Sequence, residues 1–164
     1  MNNITLIGMP GAGKSTLGVV LAKVLGYQFL DSDLLIQKQE KMRLHEIIEK
    51  KGIDGFKEVE NRVNASIQAE HTVIATGGSI VYCEEAMQHF RSIGKIVYLK
   101  LSYETISKRL GDLHFRGVVL KEGQNLKNLY DERIPLYEKY ADFVIDEEGK
   151  DLEESLQAVL EILE

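Results

Sequence analysis

Between Gly8 and Thr16 the chain reads GMPGAGKST, two glycines five positions apart followed at once by a lysine and a hydroxyl residue. That spacing is suited to phosphate. Glycines let backbone N–H groups close on phosphate oxygens, Lys14 can neutralise charge on the terminal phosphates, and the Ser15 hydroxyl can ligate magnesium. Further along, the tripeptide DSD brings two carboxylates, Asp31 and Asp33. Alternation along a strand would aim both the same way. One could then hold a magnesium-bound water and the other accept the proton of a substrate hydroxyl. The same tripeptide also suits a helix cap at Asp31 or Ser32, and the residues alone leave both uses open.

These groups need a strand end and a helix start to hold them, and the flanking pattern supplies both. NITLIG reads as a strand, and KSTLGVVLAKVLG repeats apolar residues at Leu17, Val20, Leu21, Val24 and Leu25, a helical spacing. YQFLDS, HTVIAT, KIVYLKL and DFVID read as four more strands separated by helical patterns. The last helix, DLEESLQAVLEIL, begins at Asp151 as N-cap with Glu154 three residues on. Alternating strands and helices imply an α/β fold, a parallel sheet with helices on both faces. No linker or repeat divides residues 1–164, so one domain is expected. Two stretches interrupt the alternation: residues 32–70, which read as a helical insert on the substrate side, and residues 111–123, whose flanking glycines suit a lid.

Composition narrows the partners. The chain has 164 residues, 44% hydrophobic, with a net charge of −6, and the negative balance argues against nucleic acid as partner. No apolar run is long enough to span a bilayer. Asn2 and Asn3 lead directly into the first strand, without the charged, apolar and small-residue series of a secretion signal, and Cys83 is the single cysteine. A reducing, cytoplasmic setting is therefore expected, with Cys83 buried or at a helix start. His45, His71, His89 and His114 lack metal-ligand spacing. Lys38 to Arg43 read as a solvated helix face, and Tyr130, Tyr137 and Tyr140 as core.

Taken in order, GMPGAGKST, DSD, GFKEVE, ATGG, Arg116 and ERIPLYEKYAD resemble the shikimate kinase family over essentially the whole chain. The resemblance implies a three-layer, nucleoside-monophosphate-kinase-like P-loop fold with a five-stranded parallel sheet in the order 2-3-1-4-5. It implies transfer of the γ-phosphate of ATP to the 3-hydroxyl of shikimate, a step of aromatic amino acid biosynthesis, by a monomer that meets neither nucleic acid nor membrane. Lys14, Asp33 and Arg116 would be catalytic, Arg116 arriving with the lid. Gly11, Ala12, Gly13, Lys14, Ser15, Thr16 and Arg109 would hold ATP, although Arg109 alone also reads as an exposed helix residue. Asp33, Lys57, Gly77, Gly78, Ser79 and Arg133 would hold the acceptor, and Ser15 and Asp31 the Mg2+.

Three positions depart from the family pattern. Lys57 stands where the family has an arginine for the substrate carboxylate, keeping the charge but losing the two-pronged fork. Ser79 stands where the family has a third glycine, adding a hydroxyl and, if the backbone there needs a positive φ, strain. Gly117 follows Arg116 where the family has proline. These departures leave open a related acceptor, such as quinate or homoserine. A nucleotide-binding switch without an acceptor is the reading from another class, against which Asp33, Arg116 and Arg133 weigh.

Overall fold

A computed structural model of the chain describes residues 2–111 and 123–164. The interior of the expected lid, with Arg116, Gly117 and His114, lies outside the described residues. Five strands form one parallel sheet in the order β2-β3-β1-β4-β5: β1 (Asn3–Ile7), β2 (Gln28–Asp31), β3 (Thr72–Ala75), β4 (Gly94–Lys100) and β5 (Phe143–Asp146). All five residues of β1 are buried, since it pairs on both sides; Thr5 lies opposite Ile74 of β3 and Ile96 of β4. A strand covered on both faces cannot alternate polar with apolar, which is why ITLI reads as a continuous run.

Asn3, which begins β1, is polar and buried but well partnered. Its amide donates to Ala69 O at 2.7 Å and Ile93 O at 3.0 Å, and accepts from Thr72 N at 3.0 Å. It thereby ties the start of β1 to both neighbouring strands. Helix α1 (Lys14–Leu25) packs on β2 and β3 and meets α7 (Leu152–Ile162), while α4 (Glu84–Ile93) and α6 (Leu126–Tyr140) pack on β4, so helices cover the sheet. Leu6, Leu17, Leu21, Ile74 and Val97 form the centre of the core with no or almost no exposure. Truncating one such leucine to alanine costs about 2–5 kcal/mol. At the N-terminus of α7, Asp151 and Glu154 make the reciprocal cap their spacing predicts.

Between β2 and β3 lie α2 (Ser32–Glu40) and α3 (Leu44–Ala65), with no strand between them. They share a small core of Ile36, Ile47, Phe56, Val59 and Val63, and Gly52, at φ 74°, breaks α3 into two runs. The stretch Lys38 to Arg43 is not the single helix face its charges suggest. Helix α2 stops at Glu40, Lys41 adopts φ 57°, and Arg43 begins α3 as its N-cap. Glu40 closes this turn by pairing with Arg62 at 2.6 Å and Lys51 at 3.4 Å. Among the described residues, no helix is long and apolar enough to cross a membrane.

Candidate active site

The carboxyl end of the sheet is where ligands gather in an open α/β fold, and the phosphate-loop motif sits there. Strand β1 ends at Ile7, the chain turns through Gly8 to Gly13, and α1 begins at Lys14. Gly8 passes so close to β4 that an added Cβ would lie 2.7 Å from Leu99 O. Gly13, the N-cap of α1, holds a left-handed φ of 84°. The helix N-terminus therefore opens toward a cleft of about 310 Å³ with its backbone donors exposed.

Lys14 is buried in that cleft, donating to Gly8 O at 2.7 Å and Met9 O at 2.9 Å. Burial lowers its pKa to about 8, against the raising influence of Asp33. The Ser15 hydroxyl donates to Asp31 Oδ2 at 2.9 Å. Gly11, Gly13, Ser15 and Thr16 also line the cleft. Ala12 lies beneath it, buried, and Arg109 (from α5, Tyr103–Leu110) donates to Gly11 O at 3.0 Å, on the loop's outer side.

Asp31 and Asp33 do meet at the loop, though not by strand alternation. Strand β2 ends at Asp31, whose Oδ1 caps α2 by accepting from Asp33 N at 3.0 Å and Leu34 N at 3.2 Å. Asp33 belongs to the first turn of that helix and lines the cleft. The cap and the loop contact coexist because Asp31 uses one oxygen for each. Burial, and then the charge of Asp31, raise Asp33's pKa to about 6, while Lys14 draws it down.

The opposite wall comes from the loop after β3 and from α6. Two glycines bring the backbone close to the side chains of this wall. An added Cβ at Gly77 would lie 2.7 Å from Asp33 Oδ1 and 3.2 Å from Glu60 Oε2; at Gly78 it would lie 2.6 Å from Pro10 and 2.8 Å from an Arg133 Nη1. Tyr137 donates to Gly78 O at 2.6 Å, fixing the turn. Arg133 is 1% exposed yet lines the cleft, and its Nε has no hydrogen-bond partner among the described residues. A buried guanidinium with an unused donor has the chemistry to take an anion.

Two of the departures from the family pattern take a definite form here. Ser79 sits in a short 3-10 turn, Gly78–Tyr82, without a positive φ, so its backbone carries no left-handed strain; its hydroxyl donates to Glu60 Oε1 at 2.6 Å. Lys57 does not join the cleft lining: its ammonium lies over the Tyr82 ring, 4.3 Å from the centroid. Glu60 is the residue that reading by motif passed over. It is 1% exposed and reaches the cleft, and burial raises its pKa to about 7, Asp33 adding to the rise while Ser79 and Arg133 oppose it. The signal was present in the pattern, since Phe56, Val59, Glu60 and Val63 share one buried helical stripe in which Glu60 is the acid.

Among the described residues no group of three or more histidine, cysteine, aspartate or glutamate side chains is placed to hold a metal. The Ser15–Asp31 pair is instead an all-oxygen partial set beside a phosphate loop. That fits Mg2+, which keeps several waters and shares phosphate oxygens.

Comparison with known proteins agrees with this geometry. The family model for shikimate kinase matches residues 10–164. A shikimate kinase of Thermodesulfovibrio yellowstonii is 38% identical over 163 residues, which span 98% of this chain and 94% of that protein. Among solved structures, a shikimate kinase from Acinetobacter baumannii in complex with shikimate superposes with a TM-score of 0.89 at 32% identity, over 99% of this chain and 93% of the other. The enzyme from Aquifex aeolicus vf5 gives 0.85 at 34% identity, over 98% and 95%.

Proposed function

The chain belongs to the shikimate kinase family, and on that footing we propose that it transfers the γ-phosphoryl group of ATP to the 3-hydroxyl of shikimate. One observation carries the reading beyond membership: the phosphate loop, a carboxylate and a buried guanidinium line the same cleft. A nucleotide switch has no use for the last two.

Lys14 exchanges its two loop carbonyls for the terminal phosphates, and the backbone of Gly11 to Thr16 cradles them. Ser15 and Asp31 would hold Mg2+, which when bound offsets negative charge on the phosphates. Arg109, anchored beside Gly11, would lie against the adenine. Arg133 pairs with the acceptor carboxylate through its fork, and Gly78 N–H donates to the acceptor. This leaves the carboxylate to Arg133 alone, since Lys57 is engaged on Tyr82.

Asp33 then receives the acceptor's hydroxyl proton as the acceptor oxygen bonds to the γ-phosphorus and the bond from that phosphorus to the leaving ADP oxygen breaks. With a pKa of about 6 it is ionised at neutral pH yet more basic than a free aspartate. Arg116, in the segment outside the described residues, would stabilise charge on the moving phosphoryl. We take residues 1–164 as a single kinase domain with its helical insert at 32–70 and lid at 111–123. It would work in the cytoplasm as a monomer.

ADP release measured with shikimate, quinate, homoserine and no acceptor tests the reading. Release should depend on shikimate. Release at the same rate without any acceptor would favour the switch, and release with homoserine or quinate but not shikimate would reassign the substrate.

A further inference from the structure

Glu60 occupies a place where an ionised carboxylate needs help. It sits on the apolar stripe of α3, 1% exposed, and burying such a group without donors is costly. Lys57, one helical turn earlier on α3, is spaced for an ion pair with it. That pair is not made, because Lys57 lies on the Tyr82 ring. The donors come from the other side: Ser79 Oγ at 2.6 Å, the short distance of a charge-assisted bond, and the Cys83 thiol at 3.7 Å, both on Oε1. No described group donates to Oε2, which lies toward Gly77, on the stretch of wall that Asp33 Oδ1 also touches.

We propose that Ser79 is a positioning residue for the acceptor: by holding Glu60 Oε1 it presents Oε2 to the cleft, where it accepts a hydrogen bond from a ring hydroxyl of shikimate other than the one phosphorylated. The inference rests on shikimate being the acceptor. A ring bearing adjacent hydroxyls suits two carboxylates on one wall, Asp33 taking the reacting hydroxyl and Glu60 a neighbour. The serine thus does more than fill the place of a glycine. It supplies the donor that Lys57, turned away, does not.

The groups facing Glu60 are Asp33 from α2, Arg133 from α6, and Ser79 and Cys83 from the 3-10 turn and its end. Of these, Ser79, Arg133 and Cys83 favour the ionised form and Asp33 opposes it. Removing the serine hydroxyl therefore pushes Glu60 toward protonation, and the acid limb of kcat/KM for shikimate should move to higher pH. Holding cofactor sites untouched, the loss belongs in the acceptor's KM.

The experiment compares wild type, Ser79→Ala and Ser79→Thr with shikimate, 4-deoxyshikimate and 5-deoxyshikimate at saturating ATP. Ser79→Ala should raise the KM for shikimate on the order of tenfold, with kcat and the KM for ATP within about twofold, and Ser79→Thr should recover most of the loss. For whichever deoxy analogue lacks the hydroxyl that Glu60 receives, the alanine penalty should disappear. An equal penalty on all three acceptors, or an unchanged KM for shikimate, overturns the inference while leaving the kinase reading intact. A wild type that phosphorylates no shikimate overturns both. Should Ser79→Ala fail to fold, Glu60→Gln, whose amide oxygen still accepts from Ser79, must show the same loss of discrimination between shikimate and that analogue; retained discrimination overturns the proposal.

Discussion

Replacing Arg133 by lysine tests the division of labour between the two basic residues that the family resemblance assigns to the acceptor carboxylate. Arg133 is 1% exposed, lines the cleft beside Gly78 and keeps an unused Nε donor. Lysine preserves the charge but offers a point rather than a fork, so about one charge-assisted hydrogen bond is lost, worth roughly 1.5–3 kcal/mol. The KM for shikimate should rise roughly tenfold to a hundredfold, with the KM for ATP unchanged. Lys57→Ala is the matched control. Its ammonium sits on Tyr82 outside the cleft lining, and losing such a contact costs about 0.5–1 kcal/mol of stability at a partly exposed site, with little consequence for KM. Initial rates at saturating ATP with varied shikimate, together with melting temperatures, separate the two. A KM that rises as much for Lys57→Ala as for Arg133→Lys would show that Lys57 turns into the cleft when the acceptor binds, and would refute the assignment to Arg133 alone.

Lys14→Met should reduce phosphoryl transfer by at least about a thousandfold with circular dichroism unchanged, since Lys14 bonds only to loop carbonyls and faces the cleft; wild-type turnover would remove the phosphate-loop assignment. Asp33→Asn should lower kcat about a hundredfold or more while ATP affinity stays, and in the wild type kcat/KM should fall as pH drops through about 7, where Glu60 takes up its proton, and more steeply below about 6, where Asp33 does; an equal loss of ATP binding would place Asp33 with the nucleotide. Stability of the ligand-free protein should decline as pH rises from about 4 to 7. Burial raises the folded-state pKa of Asp33 to about 6 and those of Glu60 and Glu147 to about 7, so across that window the folded chain keeps protons that the unfolded chain has released. The melting temperature should therefore be higher at pH 5.5 than at pH 8, and the opposite order would contradict the burial argument.

How far the residues could be read depended on the range of the interaction that decides each one. The phosphate loop was legible because its chemistry is local: Gly11, Gly13, Lys14 and Ser15 are neighbours in the chain and remain so in the cleft. The strands were legible because a sheet buried on both faces leaves continuous apolar runs. Asp31 was harder, since a cap and a loop contact ask for the same residue type, and only the structure shows one oxygen serving each. For Lys57 the spacing could not show that its ammonium rests on Tyr82, a residue distant in sequence, because no spacing rule reaches that far. For Ser79 the added hydroxyl was legible, but its partner was not, because the bond runs to Glu60 on a different element. Glu60 could have been found as a lone acid on an apolar stripe.

The central claim is that the phosphoryl group of ATP ends on the 3-oxygen of shikimate. Phosphorus and proton magnetic resonance of a reaction containing the protein, MgATP and shikimate tests it without a coupling enzyme. The account predicts one new phosphomonoester signal that grows with ADP and couples to the proton on carbon 3. Inorganic phosphate as the sole new phosphorus signal beside ADP, or a phosphomonoester coupled to another ring proton, would contradict it.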